Sequence, residues 1–566
     1  MPKLDACFPY QLGNLSEELL LEILSYLTIH DLSIVSRLSL KFKRLADEPQ
    51  LWRRIYRSLF VEARLKYPFL PGFDQRLCMD REACTSHDPC DRKGKGKQTA
   101  IQEEFKLGHS WKKLCRISLN WQTGSARLTC VTPINHSPSH PSSSCGNRSQ
   151  AAASSRSNTI VRFYRSLLFI AHKSRLPAEL PTVHVYHLRN SPHNKNQNSD
   201  LIGRLVPPQS HDRQAFGVGV SEISIDEGCE TTDSVGISFL VTVFYTTARL
   251  TVFRINLPSL SMSYYPTELE FHPVGSFQLD LQPKPTDSSK PLFHTLAETA
   301  KFHFPLIVTC STDFCLRFFR LSWLSVPSKD RLQITQLSLE MQNNSCYWPL
   351  SLSLSPQVSS NRFKMRIAYP MPFYPSTWTI GLQEFDIELA LPSSASSLQI
   401  HANHFLTAFE PIQDKYRKPV LKKSEGLGGI VVGIEQAAEN VIVGRADNTI
   451  DCFRLSSVSE DSNSRFKRQL TCFNRLFGHT AKIGSISVDE SGRCISGAMD
   501  GVKVWEGSKS VDVIPEETHN NQKIEARKII WIGSDCEKIV SLWVREDEKD
   551  GKPSIISEEV RVLSFI

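Results

Sequence analysis

No apolar run in this 566-residue chain reaches the length of a membrane-spanning helix. The longest, such as Ile237 to Tyr245, fall far short of the ~20 residues a span needs. The opening Met1-Pro2-Lys3-Leu4-Asp5 lacks the apolar core of a secretory signal. The fifteen cysteines follow no regular spacing. These absences lead us to expect reduced thiols, a cytoplasmic or nuclear protein, and no membrane partner. Strong charge of either sign is missing too. A net charge of +7 over this length favours acidic partners slightly and argues against a nucleic-acid binder. Nor is there a zinc-protease helix, a nucleophile elbow or a kinase signature set. Lys93-Gly94-Lys95-Gly96-Lys97 has neither the leading Gly nor the Lys-Ser/Thr ending of a phosphate loop. It reads as a solvated charge run or a weak nuclear-import signal. We therefore expect a non-catalytic protein with no cofactor.

What is present is globular: 40% hydrophobic and 22% charged residues, in a chain too long for one average domain. The densest signal lies between Leu15 and Tyr56. Ser16 is placed to cap a helix, with Glu17 and Glu18 in its first turn where the helix dipole favours negative charge. Leu19, Leu20, Ile23, Leu24 and Leu27 follow at helical spacing as one apolar stripe. Asp31 can cap a second helix bearing Leu32, Val35, Leu38, Phe42 and Leu45, which Pro49 would stop. So few residues cannot bury so much leucine among themselves. Either the segment packs on its own domain or it waits for a partner.

Those residues resemble the F-box, the small helical module that docks a Skp-type adaptor and, through it, a cullin–RING ubiquitin ligase. The resemblance rests on the Leu15-x-x-Glu18-Leu19 opening, the Ile23-Leu24-x-x-Leu27 core, the Asp31-Leu32 step and the closing Leu51-Trp52. Ser16 stands where the family usually has Pro, and Phe42 where it usually has Trp. The resemblance implies an adaptor-binding set of Leu15, Leu19, Ile23, Leu24, Leu27, Leu32, Val35, Leu38 and Trp52.

Beyond an F-box at about 10–58, the residues from 59 to 120 read as a helical linker holding a polar insert at about 74–102. Phe105 to Leu119 looks helical, and Ser125 to Val131 alternates like a strand. A Ser- and Pro-rich insert covers about 135–158. Cys78, Cys84, His87 and Cys90 offer four soft ligands, but their spacings fit no common finger, so a polar insert is preferred to a zinc site.

From about 159 onward, short strands alternate with turns. One unit recurs at roughly fifty to seventy residues: an apolar strand, a turn often holding Asp, then a strand ending in an aromatic. Leu306–Ser311 with Leu316–Leu321 is one copy, and Asn440–Gly444 with Ile450–Leu455 another. The sharpest, Gly478-His479 to Trp505-Glu506, resembles a WD-repeat blade. In that family His, Ser, Asp and Trp form a hydrogen-bonded tetrad, which by position would be His479, Ser496, Asp500 and Trp505. The same His, Ser and Asp could be taken for a catalytic set; the structural tetrad explains their spacing better. The Asp500-Gly501 turn is one residue shorter than the family's.

Counting copies gives seven blades, the last ending at Ile566 with nothing left for an outer strand. Ser125–Val131 is expected to supply it beside residues 559–565 and so remove the exposed edge. The fold class is therefore multidomain: a small all-α F-box with a helical linker, then an all-β propeller over 121–566. By resemblance to F-box/WD-type proteins, it would be the substrate receptor of a Skp–cullin–F-box ubiquitin ligase, with a protein substrate on the propeller. The alternative is an F-box scaffold working outside any ligase. Lys415-Tyr416-Arg417-Lys418 and Lys422-Lys423 are candidate contacts for phosphate or acidic peptides.

Overall fold

The computed structural model describes residues 15–62, 111–131 and most of 159–566. It leaves out 63–110 and 132–158. Within 159–566 it leaves out several connections, the longer ones being 173–180, 189–198, 208–218, 259–268, 279–296, 390–397, 409–430 and 516–526. The cysteine–histidine cluster at 78–90 and the basic runs at 93–97 and 415–423 lie outside the described residues.

Four short helices open the fold: α1 (Glu17–Leu24), α2 (Ile29–Val35), α3 (Leu40–Ala46) and α4 (Pro49–Tyr56), with a π-turn over Arg57–Val61. Ser16 caps α1, its hydroxyl accepting from the Leu19 amide. The single helix expected from Asp31 to Leu45 is in fact two. Thr28 caps α2, accepting from the Asp31 amide at 3.2 Å and donating to the Asp31 carboxylate at 2.7 Å. Ser39 then caps α3 afresh by accepting from the Phe42 amide at 3.3 Å. A hydroxyl that satisfies free amides makes a break before α3 cheap. Pro49 also differs from expectation. It starts α4 rather than stopping its predecessor, because a first-turn proline lacks only an amide that had no helical partner.

The helical core holds Leu20, Leu24, Leu32, Leu45, Leu51, Trp52, Ile55, Tyr56 and Phe60, with the Trp52 indole donating to the Ala46 carbonyl at 2.6 Å. It is completed by α5 (Trp111–Thr123), which contributes the buried Cys115.

The rest is a ring of seven sheets. Blades 1 to 6 follow chain order, with first strands at Thr159–Tyr164, Val220–Ile225, Thr299–His303, Ser351–Pro356, Val431–Ala437 and Ile483–Val488. Blade 7 takes Lys528–Ser534, Lys538–Lys549 and Lys552–Ser564 from the C-terminal end of the chain. Its outer strand is Ser125–Val131, antiparallel from Arg127 opposite Ser564 to Val131 opposite Val560, as the unpaired edge required. Its second and third strands form a long hairpin, paired out to Lys549 and Lys552.

Each pair of neighbouring blades encloses its own apolar cluster, including one between blades 7 and 1 that contains Val540, Val562, Val161 and Leu168. Alternating strands put one row of side chains on each neighbour, so the ring buries both faces of every sheet.

Candidate protein-docking surfaces

The helical module is over-supplied with apolar side chains. Its core takes Leu24, Leu32 and Trp52, which are 3%, 1% and 4% exposed. The resemblance implies an adaptor-binding role for these three; in the structure they are buried in the module's own core. Leu27 and Val35 pack half-buried on the same core. Leu15, Leu19, Ile23 and Leu38 face solvent, at 37%, 56%, 42% and 67%. The apolar stripe of α1 is thus two-sided, Leu20 and Leu24 inward, Leu19 and Ile23 outward. Tyr26, Ile34, Leu40 and Leu59 are also exposed. For α1 the available signal was a leucine density wider than one helical face.

The helix α5 joins this surface to the propeller. Its first turns belong to the helical core: the Cys115 thiol donates to the Trp52 carbonyl, and the Lys112 ammonium lies over the Trp52 ring while pairing with Asp47 at 2.6 Å. Burial pushes the Cys115 thiol up to about 12. The later turns belong to the ring. Trp121 stacks on Phe565 with centroids 3.8 Å apart, donates to the Cys536 carbonyl at 2.9 Å and is covered by the Arg493 guanidinium at 4.0 Å. The Asn120 amide donates to the Phe565 carbonyl at 2.9 Å. Gly124, at φ +70°, then turns the chain into the outer strand of blade 7. A Cβ there would lie 2.0 Å from the Asp512 carbonyl oxygen.

The four residues of the expected tetrad come together in blade 6. The two ring nitrogens of His479 lie 2.7 Å from Asp500 Oδ1 and 2.7 Å from Ser496 Oγ, and the Trp505 indole donates to Ser496 Oγ at 2.7 Å. Asp500 also accepts from the Thr480 amide at 2.7 Å. Burial lowers the His479 pKa despite the opposing pull of Asp500, so the ring is neutral at pH 7. Burial alone would raise Asp500, but the Thr480 amide and His479 outweigh it and hold the carboxyl low. Ser496 has no exposed surface and is engaged on both sides. The set ties the connection before the blade to the turn inside it, which is a structural office.

Other buried charges are paired within blades 4 and 5 and, through Arg468, between them. Glu384 is reached by Lys364 at 3.0 Å, by Arg366 at 3.4 Å and by Arg468. Burial would raise its carboxyl, yet these cations hold it down at about 2. Arg445 and Arg475 both contact Asp451, each at 2.5 Å. Among the described residues no helix is long and apolar enough to cross a membrane.

Two families match the sequence. Residues 14–58 match the F-box-like domain, and residues 272–535 match the β-propeller of F-box protein pof12. No curated protein matches. Among solved structures, a computationally designed Ika8 protein is 12% identical, covering 72% of this chain and 88% of its own, with a TM-score of 0.30. Sqt1 from Chaetomium thermophilum, bound to the N-terminus of ribosomal protein L10, is 12% identical over 70% of this chain and 93% of its own, at 0.34. A second Sqt1 structure is 10% identical over 61% and 95%, at 0.28. Likenesses this distant support no functional argument.

Proposed function

We propose that this chain, an F-box protein with a C-terminal seven-bladed β-propeller, is a substrate receptor of a Skp–cullin–F-box ubiquitin ligase. The observation that carries the reading is the second apolar face of the helical module. Leu15, Leu19, Ile23 and Leu38 stay in water although the module already has a full core. Leu15, Leu19 and Ile23 recur every four residues, so along α1 they expose apolar side chains on one side, and such a patch on a small module marks a protein interface. Covering it with a Skp-type adaptor would recover roughly 1.5–3 kcal/mol for each large side chain fully buried.

The ligase reading asks nothing chemical of this chain. It has to hold a protein substrate at a fixed distance from the ubiquitin-charged enzyme, and α5 supports that role because one helix is packed into both domains. Rigid spacing raises the effective concentration of a substrate lysine near the thioester.

The test is co-purification of the full chain with a Skp-type adaptor and a cullin, beside a Leu19→Asp, Ile23→Asp variant. Both residues are exposed, so the variant keeps its fold. A carboxylate pressed into an apolar interface should abolish capture of both partners. Capture of the adaptor without cullin by the unaltered chain would favour a scaffold outside the ligase. Equal capture by both chains would refute the docking face.

A further inference from the structure

The turn between the second and third strands recurs around the ring, and in four blades its left-handed residue is described: Ala248 (φ 59°), Phe314 (58°), Asn448 (70°) and Gly501 (123°). Small or Asx residues suit that conformation, whereas a bulky aromatic is an outlier there. Strain of this kind is kept where the surroundings over-determine it, and such places cluster at functional sites.

At Phe314 the surroundings are aromatic. Its ring stacks on Trp348, centroids 5.3 Å apart, in the connection from blade 3 to blade 4. The Trp348 indole donates to the Thr312 carbonyl in the same turn at 3.3 Å. Next to it, Tyr347 is 44% exposed and sits edge-on to Trp378 at 5.6 Å, at the start of the third strand of blade 4. Connection and turn share one end of the ring in blade 6 as well, where His479 from one meets Asp500 from the other. Four rings therefore line one end of the propeller across blades 3 and 4. Behind them the Trp378 carbonyl accepts from Arg445 at 3.0 Å, and Arg445 with Arg475 is turned onto Asp451.

We propose that this aromatic ledge docks an unmodified peptide segment of a protein substrate through an apolar side chain, aromatic or long aliphatic. The inference rests on the receptor reading above and names the class of segment that reading leaves open. Rigid aromatic faces take up an apolar side chain with little loss of side-chain freedom. A phosphorylated segment would need a guanidinium facing outward; Arg445, bonded to the Trp378 carbonyl, is buried and is turned with Arg475 onto Asp451.

The test pans the full chain against a random library of unmodified short peptides and against a matched library with a fixed central phosphothreonine. The unmodified library should enrich sequences with a fixed aromatic or long aliphatic position, and an enriched peptide should shift the tryptophan fluorescence. Binding should weaken about tenfold or more in Tyr347→Ala and in Phe314→Gly. Glycine relieves the left-handed backbone but also removes a ring packed on the blade 3–4 core, so the denaturant midpoint of Phe314→Gly is measured beside its binding. Tyr347→Ala, at an exposed ring, keeps its fold, and loss of binding there is not unfolding. Enrichment from the phosphothreonine library alone, no enrichment from either, or undiminished binding by both variants would overturn the ledge. Adaptor capture is read separately. Peptide binding without capture would leave the ledge standing and fail the receptor reading; capture without peptide binding would do the reverse.

Discussion

The two domains of this protein handle apolar surface in opposite ways. The propeller closes on itself: a strand from before residue 132 fills the seventh blade, and apolar clusters lie between the blades all round the ring. The helical module closes incompletely. It builds a core of leucines and Trp52 and still leaves Leu19, Ile23 and Leu38 in water. A closed ring has no need of a partner for its stability, so whatever it binds must be held by its turns and connections. An open helical face is stable alone and incomplete, which is what a docking module requires.

The sharpest way to break the comparison uses two adjacent residues. Leu24→Asp puts a carboxylate into the core of the module, where Leu24 is 3% exposed. It should cost several kcal/mol and unfold residues 15–62, read as lost amide-exchange protection there with the blades unaffected. Ile23→Asp, one residue earlier and 42% exposed, should leave protection unchanged. Equal protection losses would mean that the module has no two-sided arrangement.

In the ring, Gly124→Ala attacks closure. Left-handed backbone at φ +70° and a Cβ 2.0 Å from the Asp512 carbonyl oxygen leave no room for it. Strain alone accounts for about 1–3 kcal/mol. A lowered denaturant midpoint, with exchange appearing first at Ser125–Val131 and its partners Val560–Ser564, is the expected signature. Ser496→Ala should cost less, about 1–3 kcal/mol, by leaving the buried Trp505 indole and His479 without their shared hydroxyl. Its readout is the same midpoint, with the loss confined to blade 6.

How legible each feature was depends on the range of the interactions that make it. Helix α1 was clear because its cap, charges and leucines are all local, and the tetrad because Gly478-His479 and Trp505 carry a repeat with a known spacing. The closing strand could be inferred because a seventh blade without an outer strand leaves an edge. The split of the leucines into inner and outer rows was not legible, since Leu19, Leu20, Ile23 and Leu24 look alike until Trp52 and Cys115 take their places beside two of them. The ledge was invisible for a similar reason. Phe314, Tyr347 and Trp378 are far apart in sequence and meet only where blades 3 and 4 adjoin.

Charge provides the finest test of the difference between the domains. The ion pairs of the helical module, Arg44 with Glu17, Arg54 with Glu22 and Lys112 with Asp47, are exposed on both partners. Such pairs contribute about 0–1 kcal/mol and are screened by salt. In the ring, Glu384 is buried among Lys364, Arg366 and Arg468, and its carboxyl is held at about 2 against an ordinary 4.5. A carboxyl depressed in the folded state binds fewer protons than in the unfolded chain. Its contribution is therefore complete above pH 4.5 and is lost as pH falls from there toward 2. Acidification through that window should lower the denaturant midpoint of the propeller, and Glu384→Gln should flatten that slope. Raising the salt concentration at neutral pH should instead touch the exposed pairs, those of the helical module and Arg362 with Glu388 in blade 4, and only slightly, because water already screens them while the blades exclude water from Glu384. A propeller whose midpoint follows salt as closely as pH would place Glu384 in contact with solvent and erase the contrast.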